Sequence, residues 1–284
     1  MRTAVVTGAG SGLGRASALE LARRGFAVWA ADIDAAAAAR TAADVAALAG
    51  PGGGPAPEAH AATLDVRDET DCRSLAAAVL ADAERLDLWV NNAGVFFTGP
   101  AWEQTAAQRR AMLEVNALGV INGTLAALEP MRAAGRGHVV NVVSLAGLVA
   151  PPGEVVYAAS KHAALAFSLG TQFDLRRAGE RGVRVSALCP DGIWTPMIED
   201  KLDDPEAAGS FSGRLLRVEE VAREVARLAE RPRPVASVPR RRGALVRLFD
   251  LLPGPSMRLL PLVMWDARRR QRAYKRRIEA GRWP

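Results

Sequence analysis

Cysteine is nearly missing from the 284 residues: Cys72 and Cys189 stand alone and far apart. Two distant thiols exclude a disulfide framework and a cysteine-ligated zinc site, and both read as buried or inert. Histidine is equally scarce. His60, His138 and His162 show no metal-ligand spacing, so they read as packing or surface residues and no metal is expected. No uninterrupted apolar run approaches the ~18 residues a membrane span needs, and no transmembrane helix is predicted. Nor does the chain open on a basic leader with a long apolar segment and a small-residue cleavage site; it enters an apolar strand, TAVVT, at once. A cytoplasmic, non-exported protein is expected.

What remains is the composition of a globular domain, 49% hydrophobic and 24% charged, with a chain long enough for one large core. The formal net charge of +6 is unevenly placed. Residues 240–284 hold 13 Arg or Lys against 3 Asp or Glu, a net of +10, which leaves −4 for residues 1–239. The basic character therefore belongs to the tail, and a uniformly basic nucleic-acid surface is excluded for the body.

Val-rich apolar runs alternate with Ala-rich amphipathic stretches, the pattern of a parallel sheet covered by helices on both faces. The runs predict strands at 3–7, 26–31, 60–65, 87–92, 137–143, 183–188 and, more weakly, 234–238. Helices are predicted over 13–24, 35–48, 69–84, 103–132, 154–178 and 218–230. GPGGGPAPE, residues 50–58, reads as a surface loop. Residues 1–239 thus form one α/β domain, and 240–284 a basic, amphipathic, helical C-terminal extension broken by Pro253, Pro255 and Pro261.

AVVTGAGSGLGRA sets Gly8, Gly12 and Gly14 directly after the first strand and at the start of a helix. Glycines there allow a tight turn and keep side chains from separating the backbone amides and helix N-terminus from a pyrophosphate. The second strand ends in VWAADID, with Asp32 18 residues after Gly14. A carboxylate at that position can accept both adenosine ribose hydroxyls and repels a 2′-phosphate, so NAD is preferred over NADP. Alternatively, Asp32 or Asp34 caps the next helix. Arg15 and Arg40 lie close enough in sequence to keep NADP as a secondary cofactor.

TGAGSGLG at 7–14, LDV at 64–66, NNAG at 91–94, VNALG at 115–119, VVS at 142–144 and YAASK at 157–161 occur in an order and spacing that resembles the short-chain dehydrogenase/reductase family. The likeness spans roughly residues 1–238. It implies one doubly wound Rossmann domain with a seven-stranded parallel sheet, in a homodimer or homotetramer. It further implies that Gly8, Ser11, Gly12, Leu13 and Gly14 form the pyrophosphate turn and that Asp32 holds the ribose. Asp65 and Val66 would flank the adenine, Asn92, Ala93 and Gly94 would pack beneath the cofactor, and Asn116, Ser144, Tyr157 and Lys161 match the catalytic tetrad. One position departs: where the family has Pro-Gly, CPDGIWTPM places Asp191 after Pro190. Pro190, Ile193 and Thr195 still match the positions at the nicotinamide end. A carboxylate at 191 either faces the positive ring or points to the surface.

Chemistry gives the same residues work. A phenol titrates near ~10, so Tyr157 needs nearby positive charge to act as a base at neutral pH, and Lys161 lies one helical turn away. Ser144 can hold the substrate oxygen, and Asn116 can orient a water or carbonyl near Lys161. By the resemblance, substrate walls comprise Leu145, Leu148 and Val149, then Glu154, Val155 and Val156 before Tyr157, then Trp194, Met197 and Ile198. Their apolar character points to a lipophilic secondary alcohol or ketone. An NAD(P)-dependent alcohol dehydrogenase is the expectation; a non-catalytic dinucleotide-binding scaffold is the alternative. The tail either lies on anionic lipid and delivers substrate, or covers the domain or a partner subunit with its arginines in solvent. No nucleic-acid partner is expected.

Overall fold

In a computed structural model, which describes residues 1–49, 54 and 56–282, seven strands form one sheet. They are β1 (Arg2–Thr7), β2 (Phe26–Asp32), β3 (Ala59–Thr63), β4 (Leu88–Asn91), β5 (Gly137–Val142), β6 (Val183–Pro190) and β7 (Val235–Val238). Every pairing is parallel, in the order β3-β2-β1-β4-β5-β6-β7. The chain winds outward from β1 in one direction and from β4 in the other, so the crevice between those two strands is the switch point of a doubly wound fold, where ligands bind at the carboxyl ends of strands. Each predicted strand is present, including the weak seventh. Part of the loop expected at 50–58, residues 50–53 and 55, lies outside the described residues.

Alternation along the strands divides the core. Ala4, Val6, Leu88, Val90 and Val140 face α1 (Gly12–Arg23) and α8 (Val218–Glu230), while Val5, Trp89, Val139 and Val185 face the opposite layer. That layer comprises α3 (Glu69–Ala83), α5 (Gly119–Ala133) and α6 (Val155–Arg177). Neighbouring strand residues point to opposite faces, which is why near-continuous Val runs are needed when both faces are covered. A buried polar chain locks the second layer to the sheet. Trp89 Nε1 donates to Asn91 Oδ1 at 2.7 Å, Asn91 Nδ2 donates to Asn141 Oδ1 at 2.8 Å, and Asn141 Nδ2 donates to Ser168 Oγ of α6 at 2.8 Å. Satisfied networks of this kind fix one register of helix on sheet. Cys72 and Cys189 are both fully buried, and burial pushes their thiols up to about 12, which leaves them inert.

The helix expected at 103–132 is interrupted. A capping box of Thr105 and Gln108 starts α4 (Ala106–Leu113), a π-helical turn occupies Glu114–Leu118, and α5 follows. The stretch Ala106–Ala133 is long and apolar enough to cross a bilayer, but 56% of its most apolar window is buried inside the protein, as a core helix requires.

Two helices are formed by the extension, α9 (Arg240–Leu251) and α10 (Pro253–Glu279). Gly243 of α9 lies so close to β7 that a Cβ would meet Ser237 Oγ at 2.2 Å. Val246 packs with Leu145, Leu148 and Val149. Further along, Gln271 Nε2 donates to the carbonyls of Lys201 and Asp204 at 2.8 and 2.7 Å, and the Leu215 amide donates to Tyr274 Oη at 3.1 Å. The tail is therefore seated on the domain rather than hanging from it.

Candidate active site

One large cavity, of about 870 Å³, opens at the carboxyl ends of the strands. The turn after β1 forms its first edge. Gly8 and Gly12 lie at φ +62° and +49°, conformations that favour glycine, and a Cβ on Gly8 would meet Ala93 Cα at 2.7 Å. Gly14 is set behind this edge rather than in it: a Cβ there would meet Gly8 O at 2.0 Å, so its task is close packing of helix against turn. Asn92 binds the turn from below, its Nδ2 donating to the carbonyls of Thr7 and Gly8 at 3.0 and 3.1 Å, while Thr7 Oγ1 accepts from the amides of Asn92 and Ala93.

Asp32 ends β2 on the cavity wall and accepts from Gly10 N at 2.8 Å and Asp34 N at 3.0 Å. The capping role falls to Asp34, whose carboxylate accepts from Ala37 N at 3.0 Å. Asp65 and Val66 also line the cavity, though the Asp65 carboxylate is engaged by Arg67 at 2.9 Å, and that guanidinium holds its carboxyl below the ordinary range. Arg15 is paired with Asp44 at 2.8 Å, and neither Arg15 nor Arg40 lines the cavity. A backbone cradle free of side chains next to a strand-end carboxylate fits the pyrophosphate and ribose of a dinucleotide.

Three of the four residues that match the tetrad, Ser144, Tyr157 and Lys161, meet across β5 and α6. Ser144 follows β5, and its Oγ accepts from Ala146 N at 3.0 Å to cap a short 3-10 turn, Leu145–Gly147. Tyr157 and Lys161, four apart on α6, both line the cavity. Lys161 is buried, its Nζ donating to Val142 O at 3.0 Å and lying 5.7 Å from the Tyr157 ring centroid. Burial lowers the ammonium to about 8. Burial, then the Glu154 carboxylate, push Tyr157 upward, opposed only by its hydrogen bond with Ser144. Both effects favour the protonated phenol.

Asn116 sits in the π-helical turn, fully buried and off the cavity. Its Oδ1 accepts from Val95 N at 2.9 Å, and its Nδ2 donates to Val95 O at 2.9 Å and to Ser160 Oγ at 3.1 Å. Ser160 Oγ in turn donates to the Tyr157 carbonyl at 2.7 Å. Asn116 thus ties the loop after β4 to the first turn of α6. A Cβ on Gly94 would lie 3.2 Å from Asn116 Oδ1 and 3.7 Å from Lys161 Nζ, so glycine keeps the space between them open. The extra residue of a π turn is what points Asn116 inward, a device with no local sequence signature.

Gly8, Ser11, Gly12, Leu13, Asn92, Ala93, Gly94, Pro190, Ile193 and Thr195 line the cavity, as do Leu145, Val149, Glu154, Met197 and Ile198. Leu148, Val155, Val156 and Trp194 do not. Leu148 is buried in the cluster beneath β5, Val155 is exposed on the outer side of α6, and Trp194 packs against the cluster of Phe96, Ile198 and Phe211. The Asp191 carboxylate is neither on the surface nor unpaired. It is 9% exposed, with Oδ1 accepting from Gly192 N at 3.0 Å and Oδ2 facing Arg242 Nε at 3.3 Å. Burial raises it and Arg242 opposes the rise. The position where the resemblance led to glycine thus anchors the tail.

That anchor has a consequence absent from the sequence motifs: α9 and α10 build a wall of the cavity, through Arg242, Leu245, Val246, Phe249, Leu260 and Met264 among others. The spacing of 242, 246 and 249 marks one buried helix face, but periodicity names no partner for it. His60 also gains company. Glu58, His60 and Asp82 bring three ligand-type atoms within 4.8 Å of one another at the opposite end of β3, away from this cavity.

The model of the short chain dehydrogenase family matches residues 2–206. The chain belongs to the short-chain dehydrogenase family. It is 34% identical over 215 residues to cyclopentanol dehydrogenase of Comamonas sp. (strain NCIMB 9872), covering 76% of this chain and 82% of that one. It is 33% identical over 208 residues to levodione reductase of Leifsonia aquatica, with coverage of 72% and 75%. The solved structure of a short-chain dehydrogenase/reductase from Burkholderia phymatum in complex with NAD superposes with a TM-score of 0.78 at 31% identity, over 89% of this chain and 94% of that one. Short-chain dehydrogenases are oxidoreductases that bind NAD(H) or NADP(H). The matched segment stops at residue 206, short of the helices that close the cavity.

Proposed function

We propose that this chain is an NAD-preferring dehydrogenase/reductase that interconverts a lipophilic secondary alcohol and its ketone. The observation that carries the reading is that Ser144, Tyr157 and Lys161 share one cavity with the glycine turn and Asp32. Gly8, Ser11, Gly12 and Leu13 would face the pyrophosphate, Asp65 and Val66 the adenine, Asn92 to Gly94 its underside, and Pro190, Ile193 and Thr195 the carboxamide. Asp32 would take the ribose hydroxyls, and a 2′-phosphate there would meet a like charge. With Arg15 committed to Asp44, Arg67 to Asp65 and Arg242 to Asp191, no unpaired guanidinium among the described residues offsets that repulsion on the cavity wall.

Bound there, the dinucleotide supplies a hydride donor or acceptor. Ser144 Oγ holds the substrate oxygen and stabilises charge developing on it. Tyr157, protonated by its surroundings, gives its phenolic proton to the ketone oxygen in reduction and recovers it in oxidation. Lys161 Nζ, placed by the Val142 carbonyl, keeps N–H groups for the nicotinamide ribose. Asn116 acts by positioning the loop after β4 against α6. Leu145, Val149, Met197, Val246 and Phe249 give the remaining space an apolar lining, which supports a lipophilic substrate. Cyclopentanol and levodione, in the names of two relatives, are a cyclic alcohol and a diketone of that character. Leu113, Leu118, Leu125 and Phe173, exposed on α4 through α6, fit a contact between subunits of a homodimer or homotetramer.

The test is NADH absorbance over a panel of secondary alcohols and ketones, with NAD and NADP compared. Tyr157→Phe is expected to lower kcat at least about 10³-fold with NADH affinity changed less than threefold. Retained turnover, or a clear NADP preference, overturns the corresponding part of the reading.

A further inference from the structure

The cavity uses only some of the apolar residues on α9 and α10. Leu251, Leu262, Met257 and Trp265 are 74%, 68%, 67% and 60% exposed, and Leu248 and Leu252 are more than half exposed. None of the six lines the cavity. They lie on helix faces turned away from the domain. On α9 the inward residues are Arg242, Gly243, Val246 and Phe249, and on α10 they are Ser256, Leu260, Met264, Ala267 and Gln271. Solvent-facing leucines concentrated around one helix–helix connection mark an interaction site rather than the scatter any surface shows.

Charge identifies the occupant. The exposed apolar residues fall between 248 and 265, a stretch that also carries the exposed Asp250 and Arg258. Before them come Arg240, Arg241 and Arg247, and after them Arg268, Arg269, Arg270, Arg272, Lys275, Arg276 and Arg277. Asp266 is bound by Arg270 at 2.6 Å, and the Arg269 guanidinium lies 5.9 Å over the Trp265 ring. A second copy of this chain docked face to face would bring two segments of net +10 together, which like-charge repulsion opposes. An apolar tip with tryptophan at its edge and a basic collar on both sides instead matches the layers of an anionic lipid surface. We propose that the α9–α10 connection docks this protein onto an anionic membrane, the apolar residues 248–265 entering the acyl boundary and the flanking arginines binding lipid headgroups.

The same helices form the wall and the rim. Leu245, Leu259 and Val263 line the cavity while staying 55%, 52% and 37% exposed, so the apolar surface runs without a break from the docking face into the site. A membrane-partitioned alcohol or ketone can then pass into the cavity without crossing water; this route, unlike the docking itself, rests on the proposed redox function.

Co-sedimentation of the full chain with phosphatidylcholine vesicles, with and without phosphatidylglycerol, tests the docking. Partitioning is expected onto the anionic vesicles only, falling at least tenfold at 1 M NaCl, where the screening length is about 3 Å. The variant Leu251→Asp/Leu252→Asp/Leu262→Asp changes no cavity residue. It is expected to partition at least tenfold less while binding NADH and reducing a water-soluble ketone as the parent does. A charge variant, Arg268→Ser/Arg269→Ser/Arg272→Ser, is expected to lose the preference for anionic vesicles. Docking is overturned if the parent stays in the supernatant or if the Asp variant partitions equally. Equal binding to both vesicle types overturns the role given to charge. An oligomer in lipid-free buffer that only the Asp variant dissolves, with no vesicle binding, assigns the face to a second copy instead. Turnover and vesicle binding are read separately, so an inactive protein that still sediments sinks the redox reading and leaves docking standing.

Discussion

Replacing Glu154 with glutamine tests the electrostatics of the site more directly than any change to the proposed catalytic residues. Glu154 is 2% exposed and borders the cavity beside Tyr157. Its Oε1 accepts from Ser210 N at 2.8 Å and from Ser210 Oγ at 2.9 Å, contacts that the amide oxygen of glutamine preserves. Burial outweighs those hydrogen bonds and pushes the carboxyl up to about 8 from its ordinary 4.5, with Asp191 and Asp204 adding to the rise. An acid with a raised folded value binds more protons folded than unfolded. Its contribution to stability is intact below pH 4.5, is lost as pH rises to 8, and is flat above that. The difference between 4.5 and about 8 corresponds to on the order of 5 kcal/mol over that window. Urea unfolding of the parent and Glu154→Gln at pH 4.5, 6, 7.5 and 9 measures it. The two curves are expected to run close together at pH 4.5 and to separate steadily, the variant being more stable by on the order of 3–5 kcal/mol at pH 9. Because the Glu154 charge also raises Tyr157, and oxidation needs that phenol deprotonated, the variant should bring the rising limb of the alcohol-oxidation pH profile to lower pH. Parallel stability curves, with a gap that does not grow by more than about 1 kcal/mol, would refute the reasoning, since a carboxyl already ionised at neutral pH leaves nothing for glutamine to remove.

Gly14→Ala forces a Cβ to 2.0 Å from Gly8 O and is expected to abolish NADH binding or folding, whereas Gly170→Ala, where a Cβ would meet nothing outside α6 within 4 Å, should raise stability by about 0.5–1 kcal/mol in urea unfolding. Equal tolerance at both positions would contradict the packing of the turn. Arg242→Ala removes the partner of the buried Asp191 and loosens α9; KM for a bulky lipophilic ketone is expected to rise at least fivefold, with NADH affinity held within twofold, both from steady-state kinetics. An unchanged KM would mean that the anchor does not shape the substrate end.

The strands were legible because both faces of a parallel sheet are buried. Each strand must then be apolar at nearly every position, and runs such as 137–143 and 183–188 announce themselves between polar helix ends. The turn after β1 was legible for a related reason, since the φ values of Gly8 and Gly12 favour glycine and a Cβ on Gly8 would collide with Ala93. Tyr157 and Lys161 could be placed on one helical face from their spacing. Their electrostatics could not, because the phenol is governed first by burial, which the whole tertiary packing sets. Glu154, three residues before it in sequence, acts through space, and Lys161 turns its Nζ to the Val142 carbonyl. Asn116 shows the same limit in the backbone: an alanine-rich helix with one inserted residue has nearly the composition of one without it.

The tail marks where local rules stop for a different reason. Its amphipathic period declared a buried face and an exposed one, and both are present in the structure, but a period carries no address. The address is held by Asp191, at the position where the resemblance led to glycine. A carboxylate buried beside the cavity would be costly without a cation, and Arg242 supplies one from 51 residues later in the chain. Once that pair forms, Val246 and Phe249 follow one and two turns along α9 onto the cavity wall. A single departure from the family pattern and a segment beyond the matched residues are thus two halves of one device. The end of the cavity that α9 closes is therefore shaped by Asp191 and Arg242 together.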